Sequence, residues 1–140
     1  MTRLKHLLQP EIPTLPKAFG WVLVLAGLFF AYVYMMAPGM FFPGVGIQTY
    51  SEQFGLYSTS VRILGAVLGI LVALILNSAA LFALMLVTRI FIELGDVIVG
   101  LVINNGSPDQ NTFILLVLAC VELLVLVTLV RLLIRSAARQ

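Results

Sequence analysis

The segment LFALMLVTRIFIELGDVIVGLVIN, residues 81–104, decides how this chain folds. It is apolar and long enough for a helix that crosses a bilayer, yet Arg89, Glu93 and Asp96 lie inside it. Their spacing of i, i+4, i+7, at about 100° per residue, puts all three on one stripe roughly 60° wide. A charged side chain at the bilayer centre costs on the order of 3 kcal/mol, so such a stripe turns away from lipid and finds partners. The other helices of the chain are expected to be the ones that cover it.

Composition agrees with that reading. Of 140 residues, 61% are hydrophobic and 10% charged, against about 25% charged in soluble domains. Too little polar surface is available for a soluble fold, and the predicted class is all-α, an integral membrane four-helix bundle. The net charge is only +2, and the basic residues gather at the two ends without interleaved aromatics, which excludes nucleic acid as a partner. The single cysteine, Cys120, sits in an apolar run; it permits no internal disulfide, CxxC pair or zinc site and reads as a small core-filling residue. His6 precedes the first apolar run, which removes the usual axial ligand of an intramembrane haem. No cofactor and no metal site are expected.

Residues 1–17 read as a cytoplasmic leader, with Arg3, Lys5, His6 and Lys17 and with Pro10, Pro13 and Pro16 spaced by three. A single transmembrane domain follows over residues 18–134, with spans at about 18–37, 58–76, 79–103 and 112–134, and residues 135–140 form a basic tail. The first run is too long for the core of a signal peptide, and Trp21, Tyr32 and Tyr34 lie near its ends, as interfacial aromatics do. Between the first two spans, Met40 to Ser60 holds Phe41, Phe42, Tyr50, Phe54 and Tyr57. This connection is expected to lie in the outer interface, with Ser51 to Tyr57 as a short surface helix; a lid over a pocket is the sharper version. In the second span Gly65, Gly69 and Ala73 form a small-xxx-small ladder for close helix packing, and Arg62 lies on the same face as Gly69 and Ala73. Asn77 and Ser78 make a tight turn, so the second and third spans are antiparallel neighbours. Asn104 to Asn111 is a polar loop, and Arg131, Arg135 and Arg139 close the last span. The distribution of Lys and Arg puts both termini on the cytoplasmic side of a bacterial inner membrane.

Depth along the spans sets which charges can meet. At about 1.5 Å per residue from the outer ends, Arg62 lies about 6 Å in, Asp96 about 10 Å, Glu93 and Glu122 about 15 Å, and Arg89 about 20 Å. Arg62 should therefore pair with Asp96, and Arg89 with Glu93 or Glu122. Two arginines face three carboxylates, and the surplus proton is expected on Glu93 or Glu122. These five residues read either as a buried network that fixes helix register or as the polar floor of a ligand or proton path. No Ser/His/Asp set, HExxH or glycine-rich phosphate loop is present, which leaves acid/base work by carboxylates as the only catalytic chemistry.

Arg62 followed by Gly65 and Gly69, the Asn105 to Pro108 loop and the Val121 to Leu124 run together resemble a family of bacterial four-span membrane proteins of unknown function, akin to DoxX-like proteins. The resemblance covers roughly Gly55 to Val127 and implies a fold, a membrane location and a polar pair at Arg62 and Glu122. The chain departs from that pattern at Asp96, where the family has an arginine after the glycine. The functional expectation is a noncatalytic accessory or assembly protein with a structural ion-pair network. The alternative is a small-ligand or proton-linked carrier, and a lipid-modifying enzyme is the third class. The bilayer is the expected partner, with a homo-oligomer or larger membrane complex built on the glycine ladder.

Overall fold

The computed structural model describes residues 10–37, 49–103, 105–107 and 110–138, with the backbone alone at 51, 52, 103, 110 and 111. The described residues form four helices and no strand: α1 (Thr14–Met36), α2 (Tyr50–Ile75), α3 (Ala79–Ile103) and α4 (Gln110–Ala137). Three of them, α1, α2 and α4, are long and apolar enough to cross a membrane. α3 matches them in length at 25 residues, but it carries Arg89, Glu93 and Asp96. It depends on its neighbours for an environment that tolerates those charges.

Local chemistry fixes the helix ends. At the close of α2, Asn77 takes a left-handed conformation (φ 49°), its N–H donates to the Leu74 carbonyl at 3.1 Å, and the Ser78 N–H donates to the Ala73 carbonyl at 3.1 Å. This is a Schellman ending with asparagine in the place glycine often fills. Ser78 then serves the next helix, its Oγ accepting from the Leu81 N–H at 3.4 Å as an N-cap. The same device ends α3: Asn105 has φ 52°, and the Gly106 N–H donates to the Leu101 carbonyl at 2.7 Å.

The turn between α2 and α3 is fastened to the start of α1. Lys17 Nζ donates to Asn77 Oδ1 at 3.1 Å, and the Ala79 N–H donates to the Pro10 carbonyl at 3.1 Å. Ile12 is buried in the core beneath this clasp. α1 therefore runs antiparallel to α2 and packs along it.

α1 packs on α2, α2 on α3 and α3 on α4, while α1 and α4 share no comparable contact. Close approach of α1 to α2 depends on glycine. A Cβ at Gly27 would run into the Val67 side chain, and one at Gly20 would come within 2.9 Å of Leu74. Ser60, fully buried, donates from Oγ to the Ala31 carbonyl at 2.8 Å and pins the two helices again. Ile70, Phe82, Leu86 and Leu129 fill the core of the half nearer the α2–α3 turn. The outside is as apolar as the inside, with Leu68, Phe91 and Leu124 at 61%, 77% and 70% exposure, the surface of a protein whose solvent is hydrocarbon. The Thr88 and Thr128 hydroxyls donate back to the Leu84 and Leu124 carbonyls, which satisfies them without water.

Two expectations are corrected. Ser51 to Tyr57 is not a separate surface helix; those residues are the first turns of α2, which runs unbroken from Tyr50. The only possible breaker there, Gly55, costs a helix about 1 kcal/mol, too little to end it. Cys120 is exposed on α4 instead of filling the core, because only 17% of that helix's apolar window is buried and its residues mostly face outward. Arg3, Lys5, His6, Phe41, Phe42, Asn104, Pro108 and Arg139 lie outside the described residues, and with them the leader and most of the aromatic connection.

Candidate functional site

The five charges Arg62, Arg89, Glu93, Asp96 and Glu122 fall into two groups at different heights along the bundle. Nearer the Tyr50 end of α2, Arg62 Nη2 donates to Asp96 Oδ2 at 2.9 Å and to Oδ1 at 3.1 Å, tying α2 to α3. This pair is open, with 45% of the Arg62 side chain and 32% of the Asp96 side chain accessible. Deeper, Arg89 Nη2 donates to Glu93 Oε1 at 2.5 Å within α3, and Arg89 Nε donates to Glu122 Oε1 at 2.7 Å on α4. That cluster is closed: Arg89 is 13% accessible, Glu93 7% and Glu122 not at all.

One guanidinium serves two carboxylates in the deep cluster, and its geometry shows the shortfall. Glu93 Oε2 and Glu122 Oε2 are both buried with no hydrogen-bond donor among the described residues. Both candidates for the surplus proton touch Arg89, so distance from a guanidinium does not separate them. A guanidinium can neutralise one carboxylate; a proton on the other would balance the cluster and supply a donor for an orphaned oxygen.

Arg62, Arg89, Glu93 and Asp96 all line one cavity of about 530 Å³ at the centre of the bundle, to which every helix contributes. Its remaining lining is mostly apolar, and Tyr34 and Thr59 are the other polar residues on it. Sequence reading did not single out Tyr34 for the site, although its place near the end of α1, level with Arg62, was visible in the helix register. Glu122 stands behind this wall and touches the cavity only through Arg89.

The three small residues of α2 are divided. Ala73 is fully buried, and Gly69 lies against the Met85 side chain of α3. Gly65 is exposed, and a Cβ there would meet nothing within 4 Å. Besides Gly69 against Met85, tight glycine contacts are at Gly20 and Gly27 of α1, and at Gly100, where a Cβ would sit 2.5 Å from Thr112 Oγ1.

Fold and site thus define a class: an all-helical bundle with membrane-length apolar helices, an ion-paired interior and a central cavity with a charged floor. Comparisons with protein-family models, curated proteins and solved structures give no match to this chain.

Proposed function

We propose that this chain is a noncatalytic four-span protein of the bacterial inner membrane that binds a small ligand in its central cavity, with both termini cytoplasmic. The observation that carries this reading is the split between the two charge groups. A network that only fixed helix register would be sealed throughout, as Arg89, Glu93 and Glu122 nearly are. Arg62 and Asp96 instead sit half-open on the wall of a 530 Å³ cavity, a size and a mainly apolar lining typical of small-molecule sites. The deep cluster holds α3 to α4, and the outer pair presents polar groups to a ligand. The likeness to DoxX-like proteins supports the four-span membrane placement and carries no activity.

An accessory or assembly role is the second reading, favoured by the complete burial of Glu122 against Arg89. Native mass spectrometry of the protein extracted in mild detergent separates the two. A bound small molecule that is lost when the cavity is filled by Ala66→Phe supports ligand binding; an empty cavity together with a stable larger complex supports assembly. Reporter fusions at each terminus test the topology, and opposite signals overturn the four-span count.

A further inference from the structure

The cavity has a side, and its position bears on what can occupy it. Since α1 and α4 have no contact comparable to the other neighbouring pairs, the bundle is closed on three flanks only. Phe30 of α1 and Ile114 and Val117 of α4 line the cavity on these two helices and are 38%, 49% and 47% exposed. The gap therefore lies between α1 and α4. In a membrane this flank faces acyl chains, so a molecule already dissolved in the bilayer reaches the cavity without crossing an aqueous phase.

The lining then restricts chemistry. Ala26, Ile63, Ala66 and Ile92 form apolar walls suited to a hydrocarbon chain. With one proton on the deep cluster, Arg62 and Arg89 balance Asp96 and the remaining carboxylate of Glu93 and Glu122, so no counter-charge is left over for an ionised head. A carboxylate head would sit beside Asp96 and Glu93, and a cationic head beside two guanidiniums; each adds a charge next to like charges whose partners are already taken. What the wall does have in surplus is donors. Both hydrogen bonds to Asp96 come from Arg62 Nη2, which among the described residues leaves the N–H groups on Nε and Nη1 of a half-open side chain for an acceptor.

We infer that the cavity takes a single-chain amphipath whose head is an uncharged hydrogen-bond acceptor, an ester or ketone carbonyl, admitted from the bilayer between α1 and α4 and held at Arg62. This rests on the reading of the cavity as a ligand site and names the ligand class.

The test uses the full chain in phospholipid nanodiscs and three photo-crosslinking probes that share one diazirine-bearing alkyl tail and differ in head: methyl ester, carboxylate and quaternary ammonium. We expect the ester probe to label α1 and α4 peptides around Ala26 and Val117 at least tenfold more than either charged probe. Arg62→Gln should reduce that labelling about tenfold, and Ala66→Phe should abolish it, while Leu68→Phe on the outer face leaves it unchanged. Far-UV circular dichroism checks each variant, and Ala26→Leu replaces Ala66→Phe if the latter does not fold. Equal or stronger labelling by a charged probe at the same peptides overturns the head assignment and leaves ligand binding standing. Labelling at those peptides no greater than on the outer faces of the helices overturns both. Comparing ester-linked with ether-linked phospholipid in the discs separates the sources of the carbonyl. Capture that persists among ester lipids supports a dedicated ligand, and capture only among ether lipids assigns the site to bulk bilayer lipid and overturns the single-chain assignment.

Discussion

Replacing Arg89 by methionine should be the most damaging single change that leaves the apolar packing intact. Methionine keeps the length and flexibility of the side chain but strands two carboxyl groups, one on Glu93 and one on Glu122, whose side chains are 7% and 0% accessible. Breaking a buried ion pair by removing one partner costs about 3–5 kcal/mol. At about 1.4 kcal/mol per tenfold, even the lower figure is a shift of more than roughly a hundredfold toward the unfolded form. Glu122→Gln should be far milder, about 1.5 kcal/mol or less, because its amide oxygen can still accept from Arg89 Nε and the guanidinium keeps one carboxylate, Glu93. Arg62→Met should cost no more than about 1 kcal/mol, since its pair with Asp96 is 45% and 32% accessible. The order Arg89→Met, Glu122→Gln, Arg62→Met can be read from equilibrium unfolding in mixed micelles, titrating sodium dodecyl sulfate and following helicity by circular dichroism. Adding Glu93→Gln and Glu122→Gln to Arg89→Met should restore most of the loss, because no buried charge then remains in the cluster. An Arg89→Met protein within 1 kcal/mol of the parent, or an Arg62→Met protein equally destabilised, would falsify the division into a closed cluster and an open pair.

Two further outcomes follow from the backbone and can be read in the same unfolding assay. Gly27→Ala should cost about 1–3 kcal/mol by forcing α1 off Val67, whereas Gly65→Ala, which meets nothing, should stabilise α2 by about 0.5–1 kcal/mol; equal effects at both positions would mean that α1 does not approach α2 through Gly27. Asn77→Ala should cost about 1–2 kcal/mol for its left-handed backbone, and Asn77→Gly distinctly less, since glycine keeps that conformation and gives up only the bond from Lys17. A tolerated alanine at 77 would remove the basis for the tight α2–α3 turn.

Much of this architecture is legible in the residues, and what is hidden has physical reasons. The polar stripe of α3 follows from spacing alone, and height along the helices is enough to match Arg62 with Asp96 and to bring Arg89 level with Glu93 and Glu122. Height says nothing about rotation around the bundle axis. For that reason Arg89's double engagement, the depth of Glu122 behind the cavity wall and the open flank between α1 and α4 were not readable. The ladder on α2 drew attention because its residues are evenly spaced, yet the tightest contacts of α1 fall at Gly20 and Gly27, seven residues apart, a spacing two helical turns long that no short motif marks. Asn77 and Ser78 announced the turn through their own chemistry. Lys17 reaching Asn77 could not be foreseen, because it depends on where Pro10 to Pro13 leads the chain across that turn.

The three charges on α3 also bear on how the protein is made. Fifteen Leu, Ile, Val and Phe residues in Ala79–Ile103 each favour partition from the translocon by roughly 0.3–0.6 kcal/mol, while Arg89, Glu93 and Asp96 each oppose it by roughly 2.5–3.5 kcal/mol. The two sums are of the same size, so α3 has little drive to leave the channel alone. Its counter-charges arrive at different times during synthesis: Arg62 has already emerged from the ribosome when Asp96 appears, but Glu122 follows Arg89 by 33 residues. In the proposed four-span topology, release of α3 into lipid would thus be coupled to the helices made before and after it, with Glu122 of α4 the last counter-charge to arrive.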